Sequence, residues 1–163
     1  MHTTVKFAKV RKNATIPTKR KEDAGYDVYL CFDEDYIIIE PHTTKMLPTG
    51  IASACDKNYC FILKERGSTG SAGLAQRCGV IDSGYRGEWF VPITNTTNYD
   101  IIIYKGKKTI KYNTAGTLYP CSKAICQALI IPVPTVDIEE YTYDELKKIS
   151  SIRQSGNLGS SNK

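Results

Sequence analysis

Apolar and polar residues alternate along most of this chain, and the period is that of β-strands. In TVKFAKV at 4–10 the alternation predicts a strand with Val5, Phe7 and Val10 facing inward. The segments YDVYLCF, DYIIIE, KMLPTGIASA, NYCFILKE, EWFVPITN, DIIIYK, KTIKYN and KAICQALIIPVP follow at short spacing. Gly, Pro, Asn or Asp marks most of the gaps, and β-branched residues and tyrosines fill the segments, which predicts strands joined by tight turns. The fold class is therefore all-β, a sandwich or barrel. Pro48, Pro92, Pro132 and Pro134 fall inside the apolar runs and predict edges, bends or strand ends. Helix is scarce: one short turn around Ser71–Ala75, and one or two exposed turns in YTYDELKKI at 141–149. Beyond Ile149 the composition shifts to Ser, Gly and Asn, so 1–149 reads as a β-rich body and 150–163 as a flexible tail.

Bulk composition narrows the function classes. A chain of 163 residues is one domain with room for one core. No run approaches the roughly 20 apolar residues of a membrane helix. The start, MHTTVKFAKVRKNA, lacks the apolar core of a signal peptide, so a cytoplasmic location is expected. The net charge of +5 is spread out, with small clusters KVRK, KRK and KGKK and no basic stripe interleaved with aromatics. A long nucleic-acid groove is not favoured, whereas a small phosphorylated ligand is compatible. The six cysteines include no C-x2-C pair, and there are only two histidines. Zinc and a Cys–His nucleophile are poor fits, and the cysteines read as reduced small hydrophobes.

Four polar islands interrupt the strands. EDAGYDVYL at 22–30 sets Asp23 and Asp27 around Gly25; read alone it is a turn into a strand. KERGSTGSAGL at 64–74 combines Arg66, Ser68, Thr69 and Ser71 with three glycines. That composition suits phosphate, because glycines let backbone amides approach an anion and arginine adds charged donors. It lacks the G-K-[ST] ending of a P-loop. CGVIDSGYRG at 78–87 runs from Val80 and Ile81, expected to anchor it in the core, into Asp82 at the mouth of a turn. A carboxylate held there can orient and deprotonate a water, and Tyr85 can lie flat against a sugar or base. RQSGNLGSS at 153–161 repeats the Arg/Gly/Ser chemistry of the second island in a segment able to order over a polyanion. Together they point to a small phosphorylated substrate with Mg²⁺, which favours carboxylates plus substrate phosphates.

The order of these islands resembles the homotrimeric dUTP diphosphatase (dUTPase) family, in its bacterial or phage members, over nearly the whole chain. DAGYD (23–27), ERGSTG (65–70), GVIDSGYRGE (79–88), AICQ (124–127) and RQSGNLGSS (153–161) are similar to its five motifs in order, the third most specifically. The resemblance implies a jelly-roll-like β-sandwich and a homotrimer whose active sites are each built from all three chains. It implies cleavage of dUTP to dUMP and pyrophosphate, which keeps uracil out of DNA and supplies dUMP. By the same resemblance Asp82 activates the water and Asp27 supports the metal–triphosphate end. Tyr85 packs under the deoxyribose and excludes a 2′-hydroxyl. Cys78, Gly79, Val80 and Ile81 belong to the uracil slot, with Leu158 on the lid above it. Arg66, Gly67, Ser68 and Gln127 bind phosphates, and Arg153, Gly159, Ser160 and Ser161 clamp the far end. Mg²⁺ would be held mainly by the substrate phosphates and water.

The departures carry expectations of their own. Motif two reads Arg66-Gly67-Ser68 where the family has Arg-Ser-Gly, and motif four is preceded by Ser122-Lys123 rather than Gly-Asp-Arg. Leu158 replaces the aromatic that covers uracil, so a weaker lid stack and a raised KM are expected. Residues 98–120 lengthen the chain between motifs three and four and read as an inserted hairpin, a candidate surface for a regulatory protein partner. The competing enzyme reading is dCTP deaminase, which shares the fold; its catalytic glutamate would fall at Pro92, which cannot do acid–base chemistry. A dUTPase-fold repressor-binding protein and a nucleic-acid-binding β module are the readings from other classes.

Overall fold

The computed structural model describes residues 4–106 and 116–152. It contains twelve strands and two short helices, an all-β, jelly-roll-like sandwich. β1 (Lys6–Lys9) pairs with β5 (Ile51–Ala54). A second sheet has the order β11 (Gly116–Pro120), β10 (Asp100–Tyr104), β3 (Tyr36–Ile39). A third runs β2 (Tyr26–Val28), β12 (Cys126–Pro132), β6 (Tyr59–Lys64), β8 (Val80–Ile81). The fourth is β4 (Thr44–Pro48), β9 (Phe90–Asn95), β7 (Leu74–Gln76). One core draws on all four sheets, with Ile51, Ile39, Ile101, Phe61, Val28, Val91 and Leu74 buried. At its centre Trp89 is fully buried and meets Phe7 and Phe61 edge-on, with ring centroids 5.5 and 4.9 Å away. Such tilted contacts suit the ring quadrupoles. The indole N–H donates to Ser53 Oγ at 3.1 Å, so the buried ring leaves no donor unsatisfied.

The predicted KMLPTGIASA strand is split. Thr49 Oγ1 donates to the Trp89 carbonyl (2.7 Å), and the Gly50 amide donates to Glu88 Oε1 (2.8 Å), turning the chain from β4 into β5. Pro92 lies inside β9, the middle strand of its sheet, against the expectation of an edge or end. The sheet tolerates it because the Arg77 amide still donates to the Pro92 carbonyl, and the Arg77 carbonyl that would face the missing N–H accepts from Gln76 Nε2 instead. Pro48 and Pro132 do end strands.

Val10 is 54% exposed, not inward, while Val5 and Phe7 pack on the core. A strand alternates sides, and position 10 does not share the parity of 5 and 7. Within the segment expected as a hairpin at 98–120, the two described strands are not each other's hairpin arms. β10 and β11 pair in parallel, from Asp100 opposite Gly116 to Tyr104 opposite Pro120. Ile101, Ile102 and Ile103 are buried, as is Tyr119. These two strands therefore contribute to the core, and the predicted strand KTIKYN lies outside the described residues.

α1 spans Gly67–Gly70, earlier than the turn expected at Ser71–Ala75. The buried Thr69 moves it: its hydroxyl accepts from the Arg66 amide (2.9 Å) and donates to the Arg66 carbonyl (3.0 Å). α2 (Tyr143–Lys148) matches the exposed helix predicted at 141–149. Thr142 and Glu145 cap it reciprocally, Thr142 Oγ1 accepting from the Glu145 amide and Glu145 Oε2 from the Thr142 amide.

Candidate active site

Two of the polar islands and the AICQ motif converge through the third sheet. Its register sets Asp27 opposite Gln127 and Gln127 opposite Lys64, so β2, β12 and the end of β6 bring the first, fourth and second motifs into one row. The row opens into a cavity of about 760 Å³ walled by residues of the 18–25 segment, Asp27, Arg66, Gly67, Ser68 and Gln127. Arg66 Nε lies 2.9 Å from Asp27 Oδ1, and Nη2 is 3.4 Å from Oδ2, a two-pronged pair about one-third exposed on each side. Gln127 Nε2 donates to the Glu65 carbonyl at 2.8 Å, tying β12 to the chain entering α1. Gly25 touches the Gln127 side chain so closely that a Cβ at 25 would overlap its amide.

Glu65 turns away from this cavity and joins it to the next feature. Its Oε1 accepts from the Gln76 amide at 3.0 Å. Its own backbone amide, with those of Gln76 and the charge of Lys64, holds the carboxyl below the ordinary glutamate range despite partial burial. Gln76 Nε2 in turn donates to the carbonyls of Arg77 (2.9 Å) and Cys78 (3.1 Å). Cys78 has φ +50°, an uncommon left-handed backbone for a residue with a side chain. Gly79 lies against the backbone of Leu63, whose amide donates to the Gly79 carbonyl at 2.8 Å. The 76–79 turn is thus braced from within and from β6.

Asp82 follows β8 directly. Its carbonyl accepts from the Tyr85 amide at 3.1 Å, closing a turn. Arg86 Nη1 donates to the Ser83 carbonyl (2.6 Å) and the Ser53 carbonyl (3.3 Å), fixing the turn to β5. The Asp82 carboxylate is exposed and has no hydrogen bond or ion pair among the described residues. Tyr85 lays its ring on Gly87, and its hydroxyl donates to the Glu88 carbonyl at 3.1 Å. The other ring face is open, with the residue 43% exposed.

This geometry combines a carboxylate free to take a proton, a flat aromatic floor and a separate cation-bearing cavity. The family model described as dUTPase matches residues 11–162. The chain belongs to the dUTPase family. As a member it hydrolyses dUTP. A deoxyuridine 5'-triphosphate nucleotidohydrolase of Leptospira interrogans is 30% identical over 115 residues, covering 68% of this chain and 79% of the relative. One from Hydrogenobaculum sp. is 30% identical over 162 residues, covering 93% of each. A dUTPase variant of Staphylococcus bacteriophage 80alpha, solved with dUpNHpp, superposes with TM-score 0.78 at 25% identity, over 97% of this chain and 98% of that one. The native dUTPase of equine infectious anemia virus (EIAV) shares the fold, with TM-score 0.64 at 23% identity, over 86% of this chain and 98% of that one.

Set against these dUTPase motifs, the structure gathers Asp27, Arg66, Gly67, Ser68 and Gln127 at one cavity. It gathers Cys78, Gly79, Ile81, Asp82 and Tyr85 at the braced turn. It does not bring the two groups together within one chain. Val80 is no anchor, being 64% exposed. In a two-residue edge strand neighbouring side chains take opposite faces, so only Ile81 reaches the core. The true anchor is Trp89. Arg153, Leu158, Gly159, Ser160 and Ser161 lie outside the described residues. Thr69, Glu65 and Gln76 were missed as organisers, because a hydroxyl or carboxylate that binds its own backbone leaves no periodic signal. The cysteines agree with the sequence: all six are free, and burial pushes the Cys126 thiol up to about 12. Among the described residues no helix is long and apolar enough to cross a membrane.

Proposed function

We propose that dUTP is cleaved at a site assembled from several copies of this chain in a homotrimer. The observation that carries this is the register. Ile81 lies opposite Phe61 on β6, whereas Asp27 lies opposite Gln127 and hence level with Lys64, two strands further across. Strand geometry then separates Asp82 from Asp27 by on the order of 20 Å within one chain. The triphosphate spans only two P–O–P links from its first to its last phosphorus. One chain cannot hold the attacked phosphorus beside Asp82 and the distal phosphates in the Arg66 cavity. A braced turn from one copy facing the cavity of another supplies both.

At such a site Asp82 accepts a proton from a water whose oxygen bonds to the α-phosphorus, and the bond to the bridging α–β oxygen breaks. Pyrophosphate leaves and dUMP remains. Arg66 and Ser68 meet nonbridging oxygens, with Asp27 holding the guanidinium in place until substrate arrives. Gln127 acts through the Glu65 carbonyl, as a brace for the Arg66 loop. Tyr85 offers its open face to the deoxyribose. Among the described residues no three His, Cys, Asp or Glu side chains form a metal cage. Both carboxylates of the cavity, Asp23 and Asp27, are paired to guanidinium groups, which suits Mg²⁺ carried mainly by substrate phosphates and water, with Asp27 as the protein carboxylate at hand. Bound there, Mg²⁺ neutralises phosphate charge. A phage phi11 dUTPase mutant of the same fold has a structural Mg(II) ion. The segment 150–163 would supply the lid.

Complementation tests the shared site. Asp82→Asn and Arg66→Ala chains are each expected to be inactive in pyrophosphate release. Co-refolded in equal amounts, they should recover about a quarter of wild-type turnover by random assortment in a closed ring. Sites contained within one chain would recover none.

A further inference from the structure

We infer that Lys19 is a further polyphosphate-binding residue of this dUTPase; this rests on the reading of the Arg66 cavity as the phosphate site. Three cations and two carboxylates line that cavity. Both guanidinium groups are already paired. Arg66 holds Asp27 at 2.9 Å, and Arg20 grips Asp23 with Nε and Nη2 at 2.8 and 3.0 Å. Lys19 has no ion pair among the described residues and reaches Asp23 only through space, so its ammonium is the cavity's one cation not already held by a carboxylate.

The backbone places it. The Asp27 amide donates to the Thr18 carbonyl at 2.8 Å, which locks the start of this segment to β2 one residue before Lys19. The ammonium stands 5.5 Å from the centroid of the Tyr26 ring, and only two long contacts, 3.4 Å to the Arg20 and Lys21 carbonyls, hold it otherwise. A ring face orients a cation without cancelling its charge. Two weak carbonyl contacts are readily exchanged for a phosphate oxygen, which gives a shorter, charge-assisted bond. Arg20 is a different case: its charge is held by a two-pronged pair with Asp23. Lys19 thus supplies attraction for the distal, most highly charged end of the triphosphate, and for the pyrophosphate that leaves.

The experiment compares wild type, Lys19→Met and Lys19→Arg in dUTP turnover, with pyrophosphate and dUMP as inhibitors. Lys19→Met should raise KM about fivefold, the size of one partly exposed ion pair, with kcat little changed. It should weaken inhibition by pyrophosphate to the same degree and leave inhibition by dUMP as it was. Lys19→Arg should restore both values. Unchanged KM and pyrophosphate inhibition in Lys19→Met, beside an active wild type, overturn this inference alone. An equal loss for dUMP overturns it too, since that marks a disturbed fold rather than a lost charge. No dUTP turnover by wild type overturns both the inference and the reading of the cavity beneath it.

Discussion

Asp82 and Cys126 show how little a residue's type says without its surroundings. Asp82 is a carboxylate with open space before it and a fixed backbone behind it, the condition for a base that must meet a water. Asp82→Asn keeps the shape and removes the proton acceptor, so dUTP turnover should fall about a hundredfold to ten-thousandfold with the melting temperature unchanged. Retained turnover would exclude Asp82 as the base. Cys126 is a thiol whose reactivity burial has removed. It sits at 0% exposure with its thiol pushed up to about 12, while Cys78 is exposed on the braced turn. Thiolate is the reacting form, so iodoacetamide at neutral pH should label Cys78 well before Cys126. Peptide mapping of partly alkylated protein reads the order, and early labelling of Cys126 would contradict its burial.

Elements are where most of the fold was legible, and where the site was legible only in part. The β alternation located β1, β3, β6, β9, β10 and β12, because each is long enough for the period to repeat. β7, β8 and β11 escaped: β7 and β8 are three and two residues long, and β11 runs through Gly116, Thr117 and Pro120 with no apolar alternation. The polar islands were legible as motifs, but the ties between them were not. Glu65 links the Arg66 loop to the Gln76 turn through one backbone amide eleven residues away, a contact no local pattern encodes. That contact should be visible in acid. The Glu65 carboxyl titrates below its ordinary 4.5, so it favours the folded state above that value and loses this contribution as pH falls through the folded value. The melting temperature of wild type should exceed that of Glu65→Gln near pH ~6 and the gap should narrow as the pH falls below the ordinary glutamate value. The single tryptophan, buried at the core's centre, supplies the fluorescence readout. Gly25 is the tie on the other wall. Gly25→Ala would force a methyl against the Gln127 amide, and such overpacking costs about 1–3 kcal/mol. A variant as stable as wild type would mean that β12 yields there.

At the scale of the molecule, one segment makes no sense in a single copy. From Ile131 to Ile152 every residue is exposed, and the run includes Val136 (68%), Ile138 (93%), Tyr141, Leu146 and Ile149. An arm of this length without a buried residue gains nothing from its own core, yet α2 within it is capped at its start and bears acids in the first turn and lysines in the last. Local order of that kind, with its apolar side chains unpacked, points to a surface on another copy. The same conclusion comes independently from the separation of Asp82 and the Arg66 cavity, so the arm and the divided site support one assembly. Ile138 is the sharpest probe, because a charge there has no partner to lose within its own chain. If the arm packs on another copy in the proposed trimer, Ile138→Asp should leave the melting profile of a dissociated chain unchanged and weaken that assembly, since burying an unpaired carboxylate at an interface is costly. Sedimentation across a dilution series should show the variant dissociating at higher protein concentration than wild type. Under the shared-site proposal dUTP turnover should fall in step with the loss of assembly, because each proposed site loses its second wall. A variant that dissociates yet keeps full turnover would show that one chain completes the site by itself.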